Sequence, residues 1–369
     1  MKISTLRRSA PAATVLSLAL ALSACGGEEE PTAAGTGGEG TGGGELSGTI
    51  AGAGASSQEA AMQAWITGFQ EANPDVTVNY DPIGSGGGRE QFTSGAVAFA
   101  GSDAYLDEEE VAAAEEACGG SFIEFPGYIS PIAVAFNLPG VESLNLSPEV
   151  IAQIFNQEIT TWDDPAIADL NPDAQLPDLP ITPVNRSDES GTTENFVDYL
   201  AQAAPDAWPY EVSGDWPVPG GEAAQGTSGV VGAVTNAEGA ITYADASQVG
   251  DLGTVAVEVA DGEYVEYSPE AAARIVDASE RVEGRPETSY AYDIVRTPQQ
   301  DVYPIALVSY ELACAQYDDQ ATADLVQGLF SYIVSEEGQQ AAAEFAGSAP
   351  ISDELREQAQ SAIDSISAG

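Results

Sequence analysis

Three short turns rich in glycine and hydroxyl side chains mark places where this chain could bind an anion. They cover residues 52–57, 84–88 and 188–193, and each stands immediately before a predicted helix. A helix N-terminus carries unpaired backbone N–H groups and about half a positive charge. Small residues let an anion approach that backbone, and hydroxyl groups add donors. One such turn is an ordinary helix cap, but three in one chain predict convergence on an oxyanion.

Two charged positions strengthen this prediction. Arg186 stands beside the third turn, and its guanidinium can bind an oxyanion through two parallel hydrogen bonds. Asp188 can hold that guanidinium in place. Asp103 follows an apolar segment that has the pattern of a buried strand. Two other interpretations stay open: a surface ion pair for Arg186, and a turn or helix cap for Asp103.

The composition excludes several kinds of site. The 369 residues contain no histidine, which rules out a Ser-His-Asp hydrolase, a Cys-His protease and a His-ligated zinc or haem site. The formal net charge is −49, so nucleic acid is not expected as a partner. The glycine-rich turn at 84–88 lacks the Gly-Lys-Ser/Thr of a P-loop. We therefore expect no catalytic residue, no metal and no cofactor.

The N-terminus has the pattern of an export signal. Residues 1–24 combine a basic start with an apolar stretch at 12–22 that is too short to span a membrane stably. The segment ends in Leu-Ser-Ala-Cys, which resembles a bacterial lipobox and predicts lipidation of Cys25. An ordinary cleaved signal peptide with an incidental cysteine is the alternative. Residues 25–46 are rich in glycine and glutamate and predict a flexible tether.

Two further cysteines remain if Cys25 carries lipid. In an oxidising space outside the cytoplasm, Cys118 and Cys314 could form a disulfide. Two separate buried thiols are the alternative, and the sequence does not decide between them.

From residue 47 the chain alternates strand-like and helical segments. This recurrence of strand, turn and helix predicts an α/β fold with largely parallel sheets. Ser147 and Pro148 predict a helix start. Near the C-terminus we expect a pair of helices at about 319–336 and 352–366.

Five segments together resemble the signature segments of PstS-type phosphate-binding proteins, the extracytoplasmic substrate-binding components of the phosphate ABC importer. The resemblance covers the chain from about residue 48 to the C-terminus. It implies a two-lobed periplasmic-binding-protein clamshell of type II, with mixed sheets flanked by helices and phosphate in the cleft between the lobes. The segments are IGSGGG at 83–88, FAGSDA at 99–104, AFNLPG at 135–140, IFNQEITTW at 154–162 and RSDESGTT at 186–193.

The resemblance also implies a domain division and partners. Residues 47–130 and 303–369 would form lobe 1 and residues 131–302 lobe 2, with crossings near 127–132 and 300–305. The partners would be inorganic phosphate and the permease subunits of the importer. The protein would be a monomer held at the membrane by the lipid on Cys25. Two other functions stay open: a clamshell protein for sulfate or molybdate, and a phosphatase-like enzyme using Ser190 or Ser85.

The resemblance assigns the phosphate ligands residue by residue. Two positions depart from the family pattern. Ser57 is followed by Gln58, where an aromatic residue and a proline are usual, and Glu189 stands where glycine is frequent. The first departure affects the edge of the cleft, and the second adds a negative charge near the anion. The implied ligands are Ser56, the backbone of Ser57, Ser85, Asp103, Arg186, Ser190, the backbone of Gly191 and Thr192, with Asp188 orienting Arg186.

Overall fold

The computed structural model describes residues 46–277, 279–297, 299 and 302–369. The predicted signal peptide, Cys25 and the predicted tether up to residue 45 lie outside these residues. Within the described ranges, no helix has both the length and the apolar character needed to cross a membrane.

The first part of the described chain alternates strands and helices as predicted. Helix α1 forms because Met62, Trp65 and Phe69 fall on one face, and all three side chains are buried. Helix α3 begins with a capping box between Asp107 and Glu110, which satisfies backbone N–H groups at that end. The elements are β1 (Gly48–Gly54), α1 (Glu59–Ala72), β2 (Val76–Asp81), α2 (Ser85–Thr93), β3 (Phe99–Ser102), α3 (Glu108–Ala117) and β4 (Phe122–Phe136).

The middle part contains shorter strands. Helix α4 begins where it was predicted: Ser147 Oγ accepts a hydrogen bond from the Val150 N–H, and Pro148 occupies the first turn. The elements are β5 (Ser143–Leu146), α4 (Pro148–Phe155), α5 (Pro165–Ala168), β6 (Thr182–Arg186), α6 (Gly191–Ala203), β7 (Glu222–Ala224), α7 (Gly226–Thr235), β8 (Ala240–Asp245), a 3₁₀ turn (Ala246–Gln248), β9 (Gly253–Ala260), β10 (Glu263–Val265), α8 (Pro269–Asp277), β11 (Glu280–Arg281) and β12 (Tyr292–Asp293).

The C-terminal part contains three helices where the sequence predicted two. The predicted pair corresponds to the first and third of them, and the second was missed. Ser335 ends the first helix and also caps the second, so no glycine or proline separates them in the sequence. The elements are β13 (Ala306–Cys314), β14 (Gln316–Tyr317), α9 (Gln320–Val334), α10 (Glu336–Ala346), α11 (Asp353–Ile363) and β15 (Ser367–Ala368).

The main sheet has eleven strands and is mixed. Its path is β2-β1-β3-β13-β4-β8-β6-β7, and β9 joins β4 to β5 and β10. Pairing is parallel among β1, β2 and β3 and among β6, β7 and β8, as predicted. The expectation of largely parallel sheets is wrong at the centre, where β13 lies antiparallel to both β3 and β4. Strand β13 comes from far along the chain, so no local pattern revealed this pairing.

Strand β4 changes partners along its length. Its first ten residues pair with β13, and from Ile132 onward it pairs with β8. A disulfide joins Cys118 at the end of α3 to Cys314 at the end of β13, with a sulfur–sulfur distance of 2.02 Å. Of the two alternatives for these cysteines, the structure contains the disulfide.

Candidate functional site

The first turn and Asp103 lie side by side because β1 and β3 are parallel neighbours. Gly54 stands opposite Gly101, so the residues that follow both strands emerge at the same edge of the sheet. The approach is close: a Cβ on Gly54 would lie 1.9 Å from the carbonyl oxygen of Gly101. Only glycine fits there, and the fit holds Ser57 against Asp103.

The carboxylate of Asp103 accepts hydrogen bonds from hydroxyl groups of three separate segments. Ser57 Oγ lies 2.7 Å from both carboxylate oxygens, and Thr192 Oγ1 lies 3.0 Å from Oδ2. Ser309 Oγ, from strand β13, lies 2.5 Å from Oδ1. Asp103 is only 3% exposed. It is therefore a buried acceptor whose direct side-chain partners are hydroxyl groups.

Burial sets the charge state of Asp103 against these partners. Loss of water raises the pKa of its carboxyl above the ordinary value. The hydrogen bonds from Ser309, Ser57 and Thr192, and the charge of Arg186, each act in the opposite direction. The site thus contains a carboxyl group that a neighbouring proton donor could engage.

The N-termini of two helices lie beside Asp103. Ser85 is the first residue of α2, and its Oγ accepts a hydrogen bond of 3.1 Å from the Asp103 N–H. Gly191 is the first residue of α6, and a Cβ there would lie 2.6 Å from Asp103 Cβ. Ser190 caps α6 by accepting from the Thr193 N–H at 3.2 Å. Both helix ends therefore offer backbone N–H groups beside Asp103.

Arg186 is held by Asp188, as the sequence predicted. Its Nε donates to Asp188 Oδ1 at 2.9 Å, and Nη2 donates to Oδ2. The Gly226 N–H donates to the same carboxylate at 3.0 Å. Burial alone would raise the pKa of Asp188, but the hydrogen bonds and charge of Arg186 lower it overall. The guanidinium is buried.

Ser56 joins the first turn to helix α7. Its Oγ lies 3.1 Å from Thr227 Oγ1 and accepts a 3.1 Å hydrogen bond from the Thr227 N–H. Gln248 Nε2 donates to the Ser56 carbonyl at 2.9 Å. The first turn is thus held by contacts from α7 and from the 3₁₀ turn that follows β8, and Thr227 is 171 residues away in sequence.

Glu189, the departure in the third turn, turns toward a cation. Its Oε1 lies 2.9 Å from Arg89 Nη2, and its side chain is 51% exposed. Arg89 also donates to Glu110 at 2.7 Å and to Ser102 Oγ at 3.1 Å. The negative charge of Glu189 is therefore compensated by an arginine that is itself buried.

The assembled group is rich in donors and has one central acceptor. Serine and threonine hydroxyls, helix N–H groups and the Arg186 guanidinium suit a negatively charged tetrahedral ligand. Asp103 suits a ligand that still carries a proton. No cluster of three or more metal-ligating side chains occurs among the residues the structure describes. Ser57, predicted to contribute its backbone, also donates from its side chain to Asp103. The predicted ligand residues that the structure buries are Ser56, Ser57, Ser85, Asp103, Arg186, Ser190, Gly191 and Thr192.

Sequence reasoning missed three residues of this group. Thr227 follows Gly226 at the start of α7, which is a fourth turn of the predicted type, so its signal was present. Ser309 is a lone hydroxyl in an apolar strand, and Gln248 ends a 3₁₀ turn. Neither of these two carries a local signal, because each meets its partner across a long stretch of chain.

The chain is similar to proteins of known family. A family model described as a PBP superfamily domain matches residues 30–337. "Phosphate-binding protein PstS 3" of Mycobacterium tuberculosis is 35% identical over 94% of this chain and 95% of its own length. "Phosphate-binding protein PstS 2" of the same organism is 32% identical over 98% and 99%.

The fold is also similar to those of solved phosphate-binding proteins. A high-affinity periplasmic phosphate-binding protein, PfluDING, solved with bound phosphate, aligns with a TM-score of 0.69 at 21% identity, covering 85% of this chain and 93% of its own. A phosphate-binding protein from Stenotrophomonas maltophilia aligns with a TM-score of 0.68 at 18% identity, covering 85% of this chain and 94% of its own. The predicted fold class is confirmed. The chain belongs to the PBP superfamily and, within it, to the PstS family.

Proposed function

We propose, from this family membership and from the geometry around Asp103, that the protein binds inorganic phosphate and delivers it to an ABC importer. One observation carries the proposal: a carboxylate that is 3% exposed lies amid hydroxyl donors, two helix N-termini and a buried arginine. An acceptor in a site built to hold an anion is useful only when the anion brings a proton. Phosphate near neutral pH carries one or two protons.

The same carboxylate would exclude sulfate. Fully ionised sulfate has no proton to donate, so it would meet Asp103 as an unpaired acceptor and a like charge. An unpaired buried polar group costs about 1–3 kcal/mol, and a charged one costs more. Selectivity would therefore come from the inability of sulfate to donate a proton to Asp103.

The affinity for phosphate has to come from short-range interactions. At a formal net charge of −49, the field of the whole protein opposes an approaching anion. Salt screens that field beyond about 8–10 Å. The hydroxyl donors, the helix N–H groups and Arg186 would provide the attraction inside the buried site.

The lobes and the hinge belong to the same proposal. Residues 47–130 with 303–369 would form lobe 1, and residues 131–302 lobe 2. The change of partners along β4 at Ile132 supports a crossing there, as does the antiparallel return of β13. Residues 300 and 301 of the second predicted crossing lie outside the described residues. Thr192 of the proposed lobe 2 donates to Asp103 of the proposed lobe 1 at 3.0 Å, so opening of the lobes would break this contact and closing on phosphate would restore it.

The protein would be a carrier and not an enzyme. PBP superfamily members of this type are substrate-binding proteins. The two serines that an enzyme would use as nucleophiles have structural hydrogen bonds: Ser190 caps α6, and Ser85 accepts from the Asp103 N–H. A sequence without histidine also lacks the usual base for such a serine.

Calorimetric titration tests the binding proposal. The protein is unfolded and refolded to remove any endogenous ligand, and then phosphate, sulfate and molybdate are titrated separately. Tight phosphate binding with little sulfate binding is expected. Equal binding of sulfate, or no binding of phosphate by folded protein, would overturn the proposal.

Export and anchoring make a second test. We propose a monomer, held at the outer face of the cell membrane by lipid on Cys25. Cys25→Ser should leave the precursor unprocessed or release the protein into the medium. A variant that partitions into detergent as the wild type does would contradict the anchor.

A further inference from the structure

Ser309 differs from the other hydroxyl donors to Asp103 in where it comes from. Ser57 lies in the glycine-rich turn at residues 52–57, and Thr192 is the second residue of helix α6. Ser309 lies inside strand β13, is fully buried, and reaches Asp103 across 206 residues of sequence. It is the one donor among these three that a sheet holds in place.

The register of β13 ties Ser309 to both of its neighbouring strands. Tyr310 stands opposite Ser102 of β3, the residue just before Asp103, and Ser309 stands opposite Tyr128 of β4. Backbone pairing therefore sets the distance between Ser309 and the end of β3. Movement of the first turn or of α6 would not break this hydrogen bond, whereas it would break those from Ser57 or Thr192.

Other charges around Asp103 make such a fixed donor useful. Arg186 from β6 favours the ionised carboxylate, while burial favours the neutral form. Burial and the charge of Asp103 also raise the pKa of Glu311 on β13, to about 8, and that of Asp245 at the end of β8, to about 6. Tyr80 from β2 also faces it. Removal of a hydroxyl donor would tip this balance toward a protonated Asp103. A protonated carboxyl donates to sulfate as well as to phosphate.

We propose that Ser309 is a positioning residue for ligand selection, which keeps Asp103 an oriented acceptor and thereby maintains the exclusion of sulfate. This inference rests on the proposed binding of phosphate. Ser309 itself need not touch the ligand, since its hydroxyl is directed at Asp103 Oδ1.

The test compares phosphate and sulfate binding of wild type and Ser309→Ala between pH 5 and pH 9. We expect the variant to bind phosphate about tenfold more weakly at neutral pH, because a hydrogen bond to a charged group is lost. We also expect sulfate binding to appear about one pH unit higher than in wild type. A role in folding alone would lower the melting temperature without moving this pH profile.

Ser130→Ala is the matched control. Ser130 is equally buried and lies on the adjacent strand β4, but it donates to Asp245 instead of Asp103. It should lower stability comparably and should not raise the pH at which sulfate binds, because a more neutral Asp245 would only favour the ionised form of Asp103. Ser309→Thr and Ser309→Val form a second pair of equal shape that differs only in the hydroxyl group. Threonine should keep the wild-type profile and valine should lose it, even if alanine at this position unfolds the protein.

The outcomes separate this inference from the proposed function. Wild-type protein that binds no phosphate would refute the function itself. Wild-type protein that selects phosphate, together with Ala and Val variants that keep its pH profile, would refute only the role of Ser309.

Discussion

Two buried carboxyl groups of the same sheet have opposite surroundings. Asp103, at the end of β3, accepts hydrogen bonds from three hydroxyl groups and lies near Arg186. Glu311, on the adjacent strand β13, is fully buried, and neither of its carboxylate oxygens has a partner among the described residues. Burial and the charge of Asp103 raise the pKa of Glu311 to about 8.

The contrast shows that burial does not by itself make a binding site. Both groups have lost water, which favours the neutral form of each. Only Asp103 has donors that oppose this and that hold its oxygens in a fixed direction. Glu311 lies on β13, which pairs with β3 and β4. Burial and the charge of Asp103 keep its side chain protonated and neutral up to about pH 8.

Replacement of Arg186 should give the largest effect, because it removes the cation that distinguishes the two regions. Truncation of one partner of a buried charged contact typically costs about 2–5 kcal/mol. Arg186→Ala should therefore weaken phosphate binding at least tenfold in calorimetry, with the fold intact. Arg356→Ala is the control, since Arg356 pairs with Asp353 on α11. A loss below threefold would remove Arg186 from the site.

Asp103→Asn should change the selectivity of the site between phosphate and sulfate and have little effect on its shape. Asparagine has nearly the same volume, but its amide can donate to an anion where the carboxylate repels it. The variant should gain measurable sulfate binding even if its phosphate affinity falls. Wild-type protein should show the same relaxation at low pH, when Asp103 becomes protonated. Oxyanion titrations at two pH values measure both effects, and continued sulfate exclusion by the variant would assign selectivity to another group.

Glu311→Gln should affect stability and leave binding unchanged. The pKa of Glu311 is about 8 in the folded protein, against about 4.3 for an unfolded chain. The folded state therefore holds a proton that the unfolded state releases, so stability is full below pH 4 and falls as pH rises toward 8. Each pH unit in this window costs up to about 1.4 kcal/mol.

Thermal melts between pH 4 and pH 9 measure this effect. The variant should melt at a similar temperature to wild type at pH 4 and several degrees higher at pH 8. Asp245 and Glu194 also have raised pKa values, of about 6 and about 7, but they titrate in both proteins and so cancel in the comparison. A constant difference across the whole range would mean that Glu311 is ionised in the folded state.

The sequence predicted the surroundings of Asp103 much better than those of Glu311. The turns, Asp103 and the pairing of Arg186 with Asp188 follow from local patterns: helix starts, strand ends and a spacing of two residues. The alternation of strands and helices was predicted for the same reason.

What the sequence could not predict depends on distant contacts. Ser309 reaches Asp103 across 206 residues, and Thr227 reaches Ser56 across 171. Ser309 lies on β13, and Thr227 follows β7 at the start of α7, so both contacts depend on where the sheet inserts β13 and β7. Propensity and periodicity do not specify these positions. The antiparallel centre of the sheet was missed for this reason, and Glu311 drew no attention because a single glutamate in a strand has no pattern.

Glu189 supplies the smallest predicted effect and sharpens the comparison with a third kind of carboxylate. Unlike Asp103 it is half exposed, and unlike Glu311 it has a partner, Arg89, at 2.9 Å. An ion pair with an exposed member contributes about 0–1 kcal/mol, and salt screens it. Glu189→Gln removes a negative charge beside the third turn, so phosphate should bind more tightly, by no more than about threefold at low salt. The gain should vanish in concentrated salt, because screening removes the repulsion that the substitution relieves. Titrations at two ionic strengths decide this: a change above tenfold, or one that persists at high salt, would mean that Glu189 shapes the site through contact instead of charge.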